Sequence, residues 1–355
     1  MPDTNNMNTL GKTKNYSQIN PLKEIWIGDT YPETFYNHFD NKTQDIFSKI
    51  TEMTKKELNN ICKILKNLNV NVVRPQFNST VDRYMDAKEN LIKPPMCPAD
   101  WAMTIDDTLY INPQYYSGVE PFQHAIDSYK SNNQQVVIID RSKDPIAWVN
   151  FPCVVRMGKD IFIDYDPTRP EFKTNNLIIA EHLSKNHRVH VSNTGDHSDG
   201  VFCPLKDKQI LSSFYKTRYE KSFPEWNITF LDDRPTRRNS GPSHNNNWWL
   251  PGAHYANYNK EIVKVAENWL GNPWETIFSV NCILVDEKNI LVIKEDEKIF
   301  KHLEKIGITA HHANFDMCYF WDSGLHCLSS DVYREGATPD YWPNRGANGV
   351  YFIDE

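Results

Sequence analysis

The 355-residue chain lacks any apolar run approaching the roughly 18 residues that would span a membrane. Its opening stretch, MPDTNNMNTLGKTKNYSQ, lacks the apolar centre of a secretory signal and reads as a flexible lead-in over residues 1–20. A soluble, cytoplasmic protein is therefore expected, with no membrane partner. Concentrated positive charge is also lacking. The formal net charge is -7 and the one basic cluster is RPTRR, Arg234 to Arg238. Nucleic acid is thus an unpromising partner, because phosphate neutralisation needs a basic face, and small molecules are the expected ligands. The seven cysteines (Cys62, Cys97, Cys153, Cys203, Cys282, Cys318 and Cys327) lack pairing: their number is odd, and none forms a C-x-x-C motif. This argues against both a disulfide framework and a zinc knuckle. Most lie in apolar strings, as in LNNICKIL and SVNCILV, where cysteine acts as a small hydrophobe.

What the chain does contain is a repeated grammar of hairpin, helix and strand. WAMTIDDTLYIN forms two strands around a turn, a helix follows near Phe122 to Tyr129, and QQVVIID supplies a strand. VVRMGKDIFI, NNLIIAEHLSK and RVHVS repeat the order. A weaker unit runs through GVFCPLKDKQILSS, a short helix near Phe214 to Lys221, and WNITFL. A clear one comprises FSVNCILVDEKNILVI, EKIFKHLEKIG and ITAHH. The first unit, with EIWIG, a long amphipathic helix and VNVVRP, lacks one partner of its hairpin. The C-terminal LHCLSSDVY is expected to supply it by pairing with the beginning of the chain. Between the fourth and fifth units lies a long segment rich in Pro, Asn, Arg and Trp, which contains Trp248 and Trp249. It reads as a lid-like insertion over residues 232–275, with a helix from Lys260 to Leu270.

Three polar stretches fall at corresponding places in their units: MCPAD with Asp100, GDHSDG with His197 and Asp199, and SGLHCLSSD with Cys327. A nucleophilic cysteine needs an acid-base partner, which His197 can provide. Two carboxylates beside it suit a planar cation such as guanidinium, whose fixed donors carboxylates accept in pairs. Read as a strand, H-x-D directs His197 and Asp199 to one face, whereas His326 and Cys327, as neighbours, point oppositely, leaving His326 to packing.

In order and spacing, MCPADWAMTIDDTLYIN, RMGKDIF, DHSDGVF, SVNCILVDEKNILV, EKIGI and SGLHCLSSDVYREG resemble the motifs of the glycine amidinotransferase family, in the guanidino-group-modifying (pentein) superfamily. The resemblance runs from about Glu24 to Gly336. It implies an α/β fold, a five-bladed α/β propeller of hairpin-helix-strand units, in a single domain over residues 21–355. It also implies that Cys327 attacks a guanidinium carbon, that His197 is the acid-base group, that Asp100 and Asp199 hold the amidino group, and that Ser279 lines the substrate site. Homodimers are common in the family.

The sequence departs from the family in two places. Asn150 in NFPC stands where the family has the acid that pairs with the histidine, and Cys153 stands where a second acid is expected. Asparagine can orient an imidazole through its carbonyl but cannot balance its charge. An arginine for the substrate carboxylate has no clear match, with Lys216 and Arg218 both near the place. The expected activity is transfer of an amidino group from arginine, or a similar guanidino donor, to an amine through an amidino-cysteine, with neither metal nor organic cofactor. Guanidine hydrolysis of the deiminase or dihydrolase type on the same fold, or guanidino-ligand binding without turnover, are the alternatives.

Overall fold

A computed structural model describes residues 11–113, 119–140, 143, 151–164, 170–192, 197–213, 219–231, 258–266, 269, 280–293 and 297–353. Strand β1 (Leu22–Ile27) is followed by helix α1 (Asn41–Asn67) and β2 (Asn71–Val73). The helix begins at Asp40, whose carboxylate accepts hydrogen bonds from the Lys42 and Thr43 amides at 3.0 and 3.1 Å, satisfying donors that the first turn leaves open. Ile46, Phe47, Ile50, Leu58, Ile61 and Leu65 recur at helical spacing and are buried on its inner stripe. It stops where Asn69 takes a left-handed conformation, φ 61°.

The next three units repeat one plan. They are β3 (Ala102–Ile105), β4 (Thr108–Ile111), α2 (Gln123–Ser131) and β5 (Gln135–Ile138); β6 (Val154–Met157), β7 (Asp160–Asp164), α3 (Pro170–Leu183) and β8 (Arg188–Ser192); and β9 (Phe202–Lys206), β10 (Gln209–Ser212), α4 (Tyr219–Ser222) and β11 (Asn227–Phe230). Helix α5 (Tyr258–Ala266) precedes the last full unit: β12 (Ile283–Asp286), β13 (Asn289–Val292), α6 (Glu297–Lys305) and β14 (Thr309–His312). Helix α7 (Cys318–Trp321), β15 (Ser329–Arg334) and β16 (Gly349–Phe352) complete the order.

Among the described residues these strands form five sheets: β15-β1-β2, β3-β4-β5, β6-β7-β8-β16, β9-β10-β11 and β12-β13-β14. In each, the first two strands are antiparallel, and the helical crossover returns a strand parallel to the second. Strand β15 does fill the place missing from the first unit, pairing antiparallel with β1 from Leu22 opposite Arg334 to Ile27 opposite Ser329. The tight β6–β7 turn needs Gly158: its φ is +68°, and a side chain there would meet the Pro339 carbonyl at 2.0 Å.

One expectation requires correction. Residues 11–20, expected within a flexible lead-in, are fixed: Lys14 bridges to Tyr333, Asn15 to Asp106 and Ser17 to Met157. Their side chains are polar because their partners are backbone groups and buried polar atoms of three different sheets, as when Asn15 Nδ2 donates to the Asp331 carbonyl at 3.1 Å. Of the helix expected at Phe214 to Lys221, the described part is Tyr219–Ser222. The helix expected at Lys260 to Leu270 runs over Tyr258–Ala266, and residues 232–257 of the lid-like insertion, Trp248 and Trp249 included, lie outside the described residues.

Aromatic packing joins neighbouring sheets. Trp26 of β1 stacks on Phe122 with centroids 4.4 Å apart, and its indole donates to the Tyr129 hydroxyl at 2.8 Å. That hydroxyl donates in turn to the buried Glu24 carboxylate at 2.5 Å. The charges of Arg156 and Arg334 are also interior: each donates to Asp331 at 2.6 Å, so one carboxylate on β15 carries two guanidinium groups. Among the described residues, no helix is long and apolar enough to cross a membrane.

Candidate active site

In each sheet the chain makes a short turn just before the first strand, and the candidate residues lie on these turns. Asp100 ends the turn Pro98–Asp100 before β3, Cys153 ends Phe151–Cys153 before β6, and His197 leads into Ser198–Gly200 before β9. Asn281 lies just before β12, and Gly324 to Leu328 precede β15. Hydrogen bonds connect the turns. The Ala99 amide donates to the Cys327 carbonyl at 3.3 Å, Asn281 Nδ2 to the Asp199 carbonyl at 3.3 Å, and Ser198 Oγ to the Cys153 carbonyl at 3.1 Å.

The six other cysteines are buried free thiols, whereas Cys327 is half-buried. Its Sγ lies 3.4 Å from Asp199 Oδ2 and 3.1 Å from Asn281 Nδ2. Burial pushes the Cys327 thiol well above its ordinary range, the charges of Asp199 and Asp100 add to this, and the Asn281 hydrogen bond opposes it. The protein's own groups therefore favour thiol over thiolate at Cys327. Asp199 shows the reverse balance. Burial raises its pKa, but the His326 hydrogen bond, the charges of His326 and His197 and the Cys327 contact outweigh it, so it stays ionised below the usual carboxylate range. Its Oδ2 takes the contacts to His326 and Cys327, while Oδ1 is enclosed without a hydrogen-bond partner. A buried carboxylate oxygen without a donor is costly unless a ligand supplies one.

The structure thus brings Cys327, Asp199, Asp100 and His197 to one set of turns, Asp100 and His197 acting on the cluster through their charge. Two local readings change. His197 and Asp199 lie on a tight turn, where alternation does not apply. The same holds for His326 and Cys327: His326 turns inward, with Nδ1 2.9 Å from Asp199 Oδ2 and Nε2 3.1 Å from Gln18 Nε2. Packing alone does not describe it. Asn150, Ser279, Lys216 and Arg218 lie outside the described residues. Sequence reasoning missed Asn281 and Gln18. The signal for the first was an asparagine opening an apolar strand, where that residue is disfavoured.

No family model matches the chain. A solved structure of SxtG, an amidinotransferase from Microseira wollei in the saxitoxin biosynthetic pathway, superposes with a TM-score of 0.64 and 18% identity, covering 93% of this chain and 99% of that one. Inosamine-phosphate amidinotransferase StrB1 from Streptomyces griseus gives 0.65 and 15% over the same shares. The chain shares its fold with the pentein amidinotransferases. The fold is shared with hydrolases too. Dimethylarginine dimethylaminohydrolase from Pseudomonas aeruginosa, complexed with citrulline, gives a TM-score of 0.51 at 12% identity, covering 87% of this chain and 99% of that one.

Curated sequences agree with the amidinotransferase likeness. Mitochondrial glycine amidinotransferase of Xenopus laevis is 30% identical over 74 residues, 21% of this chain and 17% of that protein. L-arginine:L-lysine amidinotransferase of Pseudomonas savastanoi pv. phaseolicola is 21% identical over 191 residues, 52% of this chain and 44% of that protein. The matched stretches span less than half the length of these pentein-type relatives.

Proposed function

We propose that the protein is an amidinotransferase of the pentein type, its five sheets being the blades of a propeller with the linked turns at the centre. The observation that carries the reading is the buried, partnerless Asp199 Oδ1 beside the Cys327 sulphur. A guanidinium supplies what that oxygen lacks, a rigid N–H donor with positive charge. Asp199, with Asp100, then holds the donor's amidino end. The cation also changes the thiol. The two carboxylates that disfavour thiolate are neutralised when it binds, so the nucleophile ionises next to its electrophile.

The Sγ–carbon bond forms at the guanidinium carbon, and the carbon–nitrogen bond to the departing amine breaks. His197 gives that amine its proton, leaving an amidino group on Cys327. An acceptor amine, deprotonated by His197, attacks the same carbon, and Sγ leaves as thiolate. Ser279 lines the pocket in this reading and Asn150 orients His197. The donor is arginine or a close analogue.

Incubating the protein with arginine and measuring its intact mass tests this. One added amidino group is expected, and none in Cys327→Ala. Ornithine released beyond one equivalent per Cys327 only when an acceptor amine is present supports transfer. Citrulline formed without one assigns the protein to hydrolysis, the chemistry of the aminohydrolase with the same fold, and absence of any adduct or turnover across a panel of guanidines refutes both.

A further inference from the structure

We propose that Asn281 is the positioning residue for the nucleophile, fixing the turn that carries Cys327 and donating the hydrogen bond that favours its thiolate. Its Oδ1 accepts from two consecutive backbone amides, His326 at 2.8 Å and Cys327 at 3.0 Å. Those N–H groups offer only protons, so they determine which end of the amide faces the turn. The opposite end is thereby committed as a donor, and Nδ2 reaches Cys327 Sγ at 3.1 Å and the Asp199 carbonyl at 3.3 Å. The Asn281 backbone carbonyl adds acceptance from the Leu325 amide at 3.0 Å. Gly324 permits this approach, since a side chain there would meet Asn281 Oδ1 at 2.3 Å.

The chemistry of asparagine fits all of these contacts together. Aspartate offers the two amides an acceptor but gives the sulphur a negative charge in place of a donor, and alanine offers neither. Burial, Asp199 and Asp100 all oppose thiolate, so the Asn281 donor is the countervailing contact built into the protein itself. This inference rests on Cys327 being the nucleophile, but not on which donor or acceptor it serves.

The test uses the full chain and the variants Asn281→Asp and Asn281→Ala. Iodoacetamide labelling at Cys327, followed by peptide mass mapping at a fixed pH where thiol predominates, reads the thiolate fraction. Thermal melting is followed in parallel. Loss of one hydrogen bond to a charged group is expected to slow labelling about ten-fold or more in both variants. In Asn281→Asp the slowing is at least as large as in Asn281→Ala, and the fold is retained because the carboxylate still accepts both amides. Should Asn281→Ala not fold, Asn281→Asp decides. Labelling at the wild-type rate in a folded Asn281→Asp overturns the proposal. If the wild-type protein gains no amidino group from arginine, the proposed function fails while the labelling rates still decide the role of Asn281.

Discussion

Replacing Asp199 by asparagine should make Cys327 more reactive toward an alkylating agent and less reactive toward arginine. The carboxylate oxygen lies 3.4 Å from Sγ, and a thiolate there would feel a full like charge. At an effective dielectric near 20, that repulsion is about 5 kcal/mol. His326 on the same oxygen offsets part of it. Even a third, about 1.6 kcal/mol, changes the thiolate fraction more than ten-fold, since ~1.4 kcal/mol is one decade. Asp199→Asn keeps an oxygen for His326, removes the charge and puts an NH2 donor where the unpartnered Oδ1 was. Iodoacetamide labelling of Cys327 near pH 8, mapped by peptide mass, should therefore accelerate at least ten-fold. Amidino-adduct formation from arginine should fall by a comparable factor or more, because the donor loses its anchoring carboxylate. The opposite signs matter, as general damage to the site would slow both reactions. Labelling no faster than wild type would refute the electrostatic account of the thiol, and an undiminished adduct rate would remove Asp199 from substrate binding.

Two further predictions concern the interior. Arg156→Met leaves Asp331 with only Arg334 as its ionic partner, and breaking a buried pair typically costs about 3–5 kcal/mol. A loss near 3 kcal/mol is expected in urea denaturation, and a loss below about 1 kcal/mol would show that Arg334 suffices. Glu57 accepts a hydrogen bond from the Met317 amide at 3.1 Å, yet burial raises its pKa to about 7. The folded state then holds a proton that the unfolded state releases near the ordinary value of 4.5, so this carboxyl lowers stability as pH rises from about 4.5 to 7. Glu57→Gln should melt higher relative to wild type at pH 8 than at pH 5, and a pH-independent difference would reject that assignment.

The repeated strands were legible because each hairpin joins short apolar strings through a polar turn; RVHVS matches β8 residue for residue. Strand β16 was not, since its four residues are fixed by pairing with β8 far back in the chain, a relation absent from local pattern. The candidate cysteine, histidine and two acids were legible from residue type and order. The orientation of His326 was not, because strand alternation was applied to residues that form a turn. Polarity misled at the N-terminus for a related reason: Thr13, Asn15 and Ser17 are buried because their hydrogen-bond partners come from distant parts of the chain. Asn281 is a similar case, its four side-chain hydrogen-bonding contacts being visible only once the turns of three sheets meet.

The pairing of β15 with β1 also bears on biosynthesis. The turn holding Cys327 is tied to the Gly28 amide through the Leu328 carbonyl at 2.9 Å, as well as to Ala99. Strand β1 must therefore wait, with one edge open, while about 300 further residues emerge before its partner exists. Contacts of such sequence separation carry a large loop-closure cost and form late. A nascent chain consequently has neither an anchored cysteine nor its carboxylate neighbourhood, and the proposed chemistry at Cys327 requires that the two ends of the described chain have met.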